Sequence, residues 1–431
     1  MRTPGKGAGG RGLPLSAVPS ERGTRRDLLI AAVIAIVMVM TACAIVFTGS
    51  AARSEFRVAD TPQPVYGPAT DRPTELRYLW SHESTGTGPP LTTEGNLVTV
   101  DQSGTVTGRD AGSGETQWSY SHPGRLCAVT FYAGNLVAAH DGAQGCSDVT
   151  ALDPTTQEYT STRQSAFPDE MTLQSTWTHA LAFSPDRLEI WRDDLVRTVE
   201  YGTVEAPQEP DMQPRPDCTL VSAGLTGERF AVTERCPGDD AARLTISETV
   251  PEDSRAPEDI ASGTTGADGL WIIDVRDDGV LALANRGTDW AVEWFVAPDD
   301  YWLVLPLAGE PRLKPTEDSV AGDRAQIRWF DGSVTHAFDM AALRHAWTVT
   351  GASGPGMTGG WSPDPDSHSP SDWVLVPTGD GLVLLDHHTG REDRRFETTS
   401  ADRDEVIGLS QVGDILYERR AGAIHAHKLL V

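Results

Sequence analysis

"TVTGRDAGSGETQWSY", residues 105–120, decides the fold. A short alternating run leads to Asp110, a turn of small residues follows, and Trp118 stands eight positions after the aspartate. Taken alone it reads as a β-hairpin, two half-buried strands around a glycine turn. The unit returns downstream. "SVTHAFDMAALRHAWTV" (333–349) carries Ala337, Asp339 and Trp347, again with eight positions from aspartate to tryptophan and a small residue two before the aspartate. "LVLLDHHTGREDRRF" (382–396) keeps Asp386, Thr389 and Gly390 and has Arg394 where tryptophan would fall. "VTALDPTTQEY" (149–159) keeps Ala151, Asp153 and Thr156. "GNLVTV" (95–100) and "GNLVAA" (134–139) recur 39 residues apart, each just ahead of one of these units.

A period of about 40–45 residues, built from short alternating strands and Gly, Asp and Thr turns, is the signature of propeller blades. The aspartate and the Thr-Gly pair shape the turn between the third and fourth strands, through an Asx-type bond and a residue free to take positive φ. The tryptophan on the outer strand packs its ring against the next blade. These roles are structural and imply no chemistry.

The pattern A-x-D-x-x-T-G-x-x-x-W resembles the tryptophan-docking motif of the quinoprotein alcohol dehydrogenase-like propellers, the PQQ-like repeat superfamily. It reads G-R-D-A-G-S-G-E-T-Q-W at 108–118 and A-F-D-M-A-A-L-R-H-A-W at 337–347, and the resemblance covers roughly residues 75–431. It implies an all-β, eight-bladed β-propeller, with seven blades as the alternative count. Blades fall at about 89–122, 126–168, 171–203, 218–262, 268–308, 320–352, 355–398 and 404–431. The last has only three strands of its own, and "LRYLWSH" (76–82), carrying Trp80, is expected to supply the fourth. Pairing the two ends of the domain closes the ring and removes exposed sheet edges.

The cysteines sit on this frame. Besides Cys43 there are Cys127, Cys146, Cys218 and Cys236, spaced 19 and 18 within the two close pairs. Four cysteines allow three pairings. The blade assignment puts Cys127 and Cys218 on the innermost strands of blades two and four, with Cys146 and Cys236 near the ends of the second strands. The expected bonds are therefore Cys127–Cys146 and Cys218–Cys236, each inside one blade, since a crossed pair would have to span an intervening blade. The tight spacing of a metal site, with histidines nearby, is absent. Two local disulfides point to an oxidising compartment.

"LLIAAVIAIVMVMTACAIVF", residues 28–47, is free of charge and long enough to span a hydrocarbon core. It exceeds the apolar stretch of a secretory signal, which favours a retained helix over 27–48. Basic residues precede it, so residues 1–26 are expected in the cytoplasm as a disordered tail and the remainder outside. Two sharper readings compete: "TRRDLL" (24–29) resembles a twin-arginine export signal, and "MTAC" (40–43) resembles a lipobox that would acylate Cys43. Residues 49–74 read as a Pro-rich extracytoplasmic linker leading to the 75–431 ectodomain.

The 431-residue chain carries a formal charge of −27, and residues 27–431 alone carry −32. Such an acidic surface repels phosphate backbones, so no nucleic-acid partner is expected. The Ala/Gly/Arg/Asp-rich, Asn/Lys-poor composition is that of a GC-rich, actinobacterial-type genome.

No catalytic, cofactor or metal residue is assigned. A quinoprotein enzyme needs a calcium held by carboxylate and amide oxygens, and typically has an adjacent cysteine pair. Asparagine occurs only at Asn96, Asn135 and Asn285, and no adjacent cysteines exist. Asp364, Asp366 and His368 read as an exposed acidic loop, His387 and His388 as a solvated turn, and His425 and His427 as two residues of one strand face without a third ligand. The expected function is a single-pass, membrane-anchored binding or scaffold module whose partner is another envelope protein, engaged at the channel end that carries the long acidic loops 205–217 and 362–372. The alternative is an envelope enzyme or sensor binding a quinone-type or other small ligand at the channel.

Overall fold

The computed structural model describes residues 24–60, 65–67, 71–93, 95–156, 158–204, 209–360, 372–398 and 405–431. These divide into one unit ending at Arg53 and a second, Ser54–Val431.

The first unit is the helix Arg25–Thr48 with a short turn of helix, Ser50–Arg53. Thr24 starts it through a capping box, in which the Asp27 N–H donates to Thr24 Oγ1 and the Thr24 N–H donates to Asp27 Oδ2. Its apolar side chains point outward on every side, and Arg25–Ile45 is long and apolar enough to cross a bilayer.

The second unit is an eight-bladed β-propeller of eight four-stranded antiparallel sheets. Blades two to seven are sequential meanders running from Leu126–Tyr132 to Glu158–Gln164, Thr172–Ser175 to Arg197–Gly202, Thr219–Leu225 to Asp259–Thr264, Gly269–Arg276 to Asp300–Leu307, Val320–Gly322 to Arg344–Thr350, and Met357–Thr358 to Glu392–Glu397. Blade eight has Gly408–Val412, Ile415–Arg420 and Ala423–Leu430, and its outer strand is Glu75–Glu83 from the other end of the domain. Glu75 faces Leu430 and Trp80 faces Ala426 in that seam.

Each blade breaks register between its third and fourth strands; in blades one to seven a break follows Gly108, Ala151, Ile190, Ile246, Val292, Ala337 and Leu384, and blade five has a second between Phe295 and Ala297. In blade eight the break lies between Tyr78 and Trp80. Where the aspartate motif is legible, this bulge falls two residues before the aspartate. It steepens the local twist that sheets need to splay around an axis. Blades three to five keep the bulge although they have lost the aspartate and the Thr-Gly turn. Eight apolar cores fill the gaps, each shared by two neighbouring blades, from Val98, Trp118 and Leu136 between blades one and two to Leu97, Tyr417 and Ile424 between eight and one.

Three expectations change. Residues 49–74 are not all linker: Glu55–Val58 pairs with Thr116–Ser121 as an extra strand on the rim of blade one. Phe56 drives this, its ring lying 6.2 Å from Trp118, 6.5 Å from Tyr120 and 5.8 Å from Tyr159. Among the described residues, the innermost position of blade one holds only a bridge between Thr92 and Leu97. Cys146 lies at the start of the third strand of blade two, Gly145–Asp153, not near the end of the second. Its bond to Cys127 spans a Cα–Cα distance of 6.0 Å, helped by a register break beside Cys127. Cys218–Cys236 closes the open end of the first hairpin of blade four, with Cα atoms 4.2 Å apart.

The third change concerns the acidic loops. The 203–218 segment joins the outer strand of blade three to the inner strand of blade four, whereas 359–372 joins the first two strands of blade seven. In an antiparallel blade the strand ends that anchor these two connections lie at opposite ends of the ring. Asp364, Asp366 and His368 lie outside the described residues.

Candidate functional site

The repeat residues come first. Asp110 Oδ1 accepts the Ser113 N–H at 2.8 Å, Asp339 Oδ1 accepts Ala341 and Ala342, and Asp386 Oδ1 accepts the Thr389 N–H at 3.0 Å. The turns held by Asp110 and Asp386 receive tryptophans from the preceding blade. Trp80 Nε1 donates to Gly112 O at 3.1 Å, and Trp347 Nε1 to His387 O at 2.9 Å. Gly390, at φ +65°, sits under Trp347 so closely that a Cβ would fall 2.4 Å from Cγ of the indole. Trp118 differs: it covers Gly108 of its own blade, and among the described residues its indole N–H has no hydrogen-bond partner.

Segments of the presumed linker reach these turns. Tyr66 donates to Asp110 Oδ2 at 3.0 Å and accepts the Gly112 N–H, while burial, reinforced by Asp110, pushes its hydroxyl up to about 12. Arg72 pairs with both Asp372 and Asp386. His387 is buried rather than solvated, with Nε2 3.4 Å from Asp323 Oδ2, while His388 is exposed. His427 is buried beside Glu418, and burial lowers its imidazole to about 4.

The channel is occupied in part by the chain itself. The 308–319 connection between blades five and six brings Asp318 against Gly88, and Gln174, on the innermost strand of blade three, meets the Glu317 carboxyl. Elements from widely separated blades can meet in this way only near the axis. Glu317 remains open to solvent there, but protein surrounds it, and this enclosure together with Asp318 pushes its carboxyl up to about 8. Asp274, paired with Arg276, is raised by burial to about 6. Among the described residues these carboxyls share no tight constellation with a nucleophile or base.

A cleft of about 380 Å³ opens on blade four, lined by Arg215, Asp217, Cys218, Cys236, Asp239 and Arg243. Both of its arginines are paired, Arg243 with Asp239 and Arg215 with Asp259 outside the lining. Cys218, Glu234 and Cys236 bring ligand-type atoms within 4.8 Å of one another, as do Cys127, Asp141 and Cys146. In both groups the sulfurs are tied in disulfides and are not available as thiolates.

The feature that sequence reading missed is on the rim. The outer strand of blade five, Asp300–Leu307, reads D-Y-W-L-V-L-P-L and leaves Tyr301, Trp302 and Leu303 exposed, the last at 57%. Val296, just before its turn, is also exposed. Elsewhere on the propeller exposed large apolar side chains occur singly, which is ordinary; a contiguous run on one edge is not. Among the described residues no backbone group pairs with the free edge of this strand. Other rims are dealt with differently. Glu55–Val58 covers blade one, loop carbonyls of Ser254 and Pro214 take the Glu200 and Gly202 N–H groups on blade three, and Glu392, Asp393, Arg394 and Arg395 charge the rim of blade seven. The signal was present in the sequence as an uninterrupted apolar run, but which strands lie outermost depends on the blade count.

No family model matches the chain, and no curated protein matches it. Many solved structures do. The C-terminal WD40 domain of Sif2 aligns with a TM-score of 0.51 at 9% identity, covering 84% of this chain and 100% of that one. Sqt1 of Saccharomyces cerevisiae aligns at 0.50 and 10%, covering 85% and 100%. BamB from Moraxella catarrhalis aligns at 0.49 and 13%, covering 82% and 99%. At these identities the likeness is one of fold, and the fold is a β-propeller.

Proposed function

We propose that the chain is a membrane-tethered, extracytoplasmic protein-binding module of the PQQ-like propeller type. Its N-terminal helix anchors it with residues 1–26 in the cytoplasm, and the ring works outside the membrane without catalysis, holding an envelope protein on the rim of blade five. The observation that carries this is the unguarded apolar strand Asp300–Leu307. A soluble ring has no need of exposed Tyr301, Trp302 and Leu303, and aromatic side chains on a partly dry edge are what protein interfaces use as anchors. The two disulfides support the oxidising side of the membrane, and the docked Trp80 and Trp347 support the PQQ-like type.

The test is co-purification of the tagged full-length protein from native membranes beside its Leu303→Lys variant. Leu303 is solvent-facing, so the variant folds. A partner retained by the unaltered chain and lost by the variant is expected; the same set of partners from both contradicts the rim as the site.

A further inference from the structure

We infer that the rim of blade five takes an extended segment of its partner as an added β-strand, and that this segment is apolar at alternate positions with basic residues at the end that meets the start of the rim strand. The inference rests on the rim reading above and specifies its geometry and chemistry.

The mode of pairing is displayed by the same molecule. On blade one, Glu55–Val58 lies antiparallel along the outer strand, with Phe56 opposite Tyr120 and Val58 opposite Trp118. Backbone bonds hold that strand, and one aromatic side chain seats it. Blade five offers the same elements with nothing in place. Its outer strand is eight residues long, bonded to Asp289–Ala297 on one side only. Tyr301 lies over Phe295 at 5.1 Å with the Arg286 guanidinium 4.4 Å from its ring centre, and Trp302 lies over Trp294 at 6.3 Å. The aromatic rings are thus held from beneath, so a strand laid along the edge meets a firm apolar surface instead of mobile side chains. An open edge with fixed apolar flanks is the substrate of strand addition, in which backbone bonds give affinity and alternate side chains give selectivity.

Charge identifies the occupant. Asp299 and Asp300 are exposed where the strand begins, whereas Glu310, beyond its far end, is paired with Lys314. The chain beyond residue 26 carries −32. A second copy would bring the same acidic start and the same net charge to the edge, whereas a segment with lysine or arginine at the end that meets Asp299 and Asp300 is complementary there. Pro306 near the far end removes one donor and limits pairing to the first part of the strand, Asp300–Leu305.

The experiment uses full-length protein in lipid nanodiscs and a short synthetic peptide alternating valine with threonine between terminal lysines. Three comparisons accompany it: the peptide N-methylated at alternate amides, the peptide with terminal glutamates, and the Leu303→Lys protein. Strand addition predicts saturable binding of the lysine peptide. N-methylation should weaken it by about tenfold or more, the equivalent of one to two ordinary hydrogen bonds. The glutamate ends should weaken it with a difference that shrinks at high salt, and Leu303→Lys should abolish it. Equal binding of the N-methylated peptide overturns strand addition and leaves the rim reading standing. Equal binding of the glutamate peptide overturns the basic partner. Failure of every peptide overturns the inference, while the rim reading stands or falls separately on the co-purification comparison. A concentration-dependent dimer lost in Leu303→Lys assigns the edge to a second copy and also overturns it.

Discussion

Deleting residues 423–431 is expected to leave the ring without a cooperative folded state. The segment Ala423–Leu430 is bonded on both sides, to Ile415–Arg420 and to Glu75–Glu83, so its loss frees two edges at once. It also removes Ile424, Ala426 and Leu429, all buried, the first two from the core between blades eight and one and the third from that between seven and eight. Each large side chain contributes about 1.5–3 kcal/mol of burial, and the ladders on both sides add to this. Against a net stability of roughly 5–15 kcal/mol for a domain, the loss is decisive. Limited proteolysis of the full-length and truncated proteins should show cleavage spreading from the blade eight strands in the truncation only. A truncated protein that still melts cooperatively within a few degrees of the intact one would contradict the closure.

Glu189→Ala is expected to be the most damaging single substitution, at about 3–5 kcal/mol. Glu189 is fully buried in blade three and accepts from Arg163 at 2.9 Å, Arg197 at 2.7 Å, Trp191 Nε1 at 2.8 Å, and Arg187. Arg163 comes from the outer strand of blade two, so the carboxylate joins two blades. Removing it leaves Arg163 and Arg187 without a carboxylate partner and with little water around them, while Arg197 keeps Glu200. Burial alone would push this carboxyl up, but the three arginines outweigh it and hold it at about 2, below the ordinary 4.5. A depressed folded value means that the contribution is complete above pH 4.5 and disappears as the pH falls toward 2. The variant should therefore lose stability at neutral pH and show a flatter acid limb than the unaltered protein. Asp194→Ala, which breaks the exposed pair with Arg192, is the control and should cost less than about 1 kcal/mol. Thermal unfolding across pH checks both, and equal effects of the two substitutions would refute the role given to Glu189.

Much of this architecture was legible in the sequence because its signals are local. The Asp-to-Trp spacing, the turn glycines and the apolar helix each depend on residues close together in the chain. Closure of the ring by the Trp80 strand was readable because blade eight lacked a fourth strand and one strand upstream lacked a blade. Glu55–Val58 was not readable: four residues among Ser, Asp and Pro carry no strand signal, and the pocket for Phe56 exists only once Trp118, Tyr120 and Tyr159 have been assembled. The Glu189 cluster is similar, since "RLEIWR" (187–192) alternates like any half-buried strand and its neutralising Arg163 lies in the preceding blade. The burial of His387 went unread because its partner, Asp323, is more than sixty residues away in the blade before it. The rim of blade five was visible as an apolar run but not as a surface, because its apolar character suited a buried strand equally well.

The most direct test of the rim as a binding surface is photo-cross-linking in intact cells, with a photoreactive amino acid at position 303 on blade five and, in a second protein, at position 160 on the outer strand of blade two. The account predicts one discrete adduct, from 303 only, with the cross-link in the partner mapping to an extended segment that carries basic residues at one end. Adducts of equal yield from both positions, or none from 303, would contradict it.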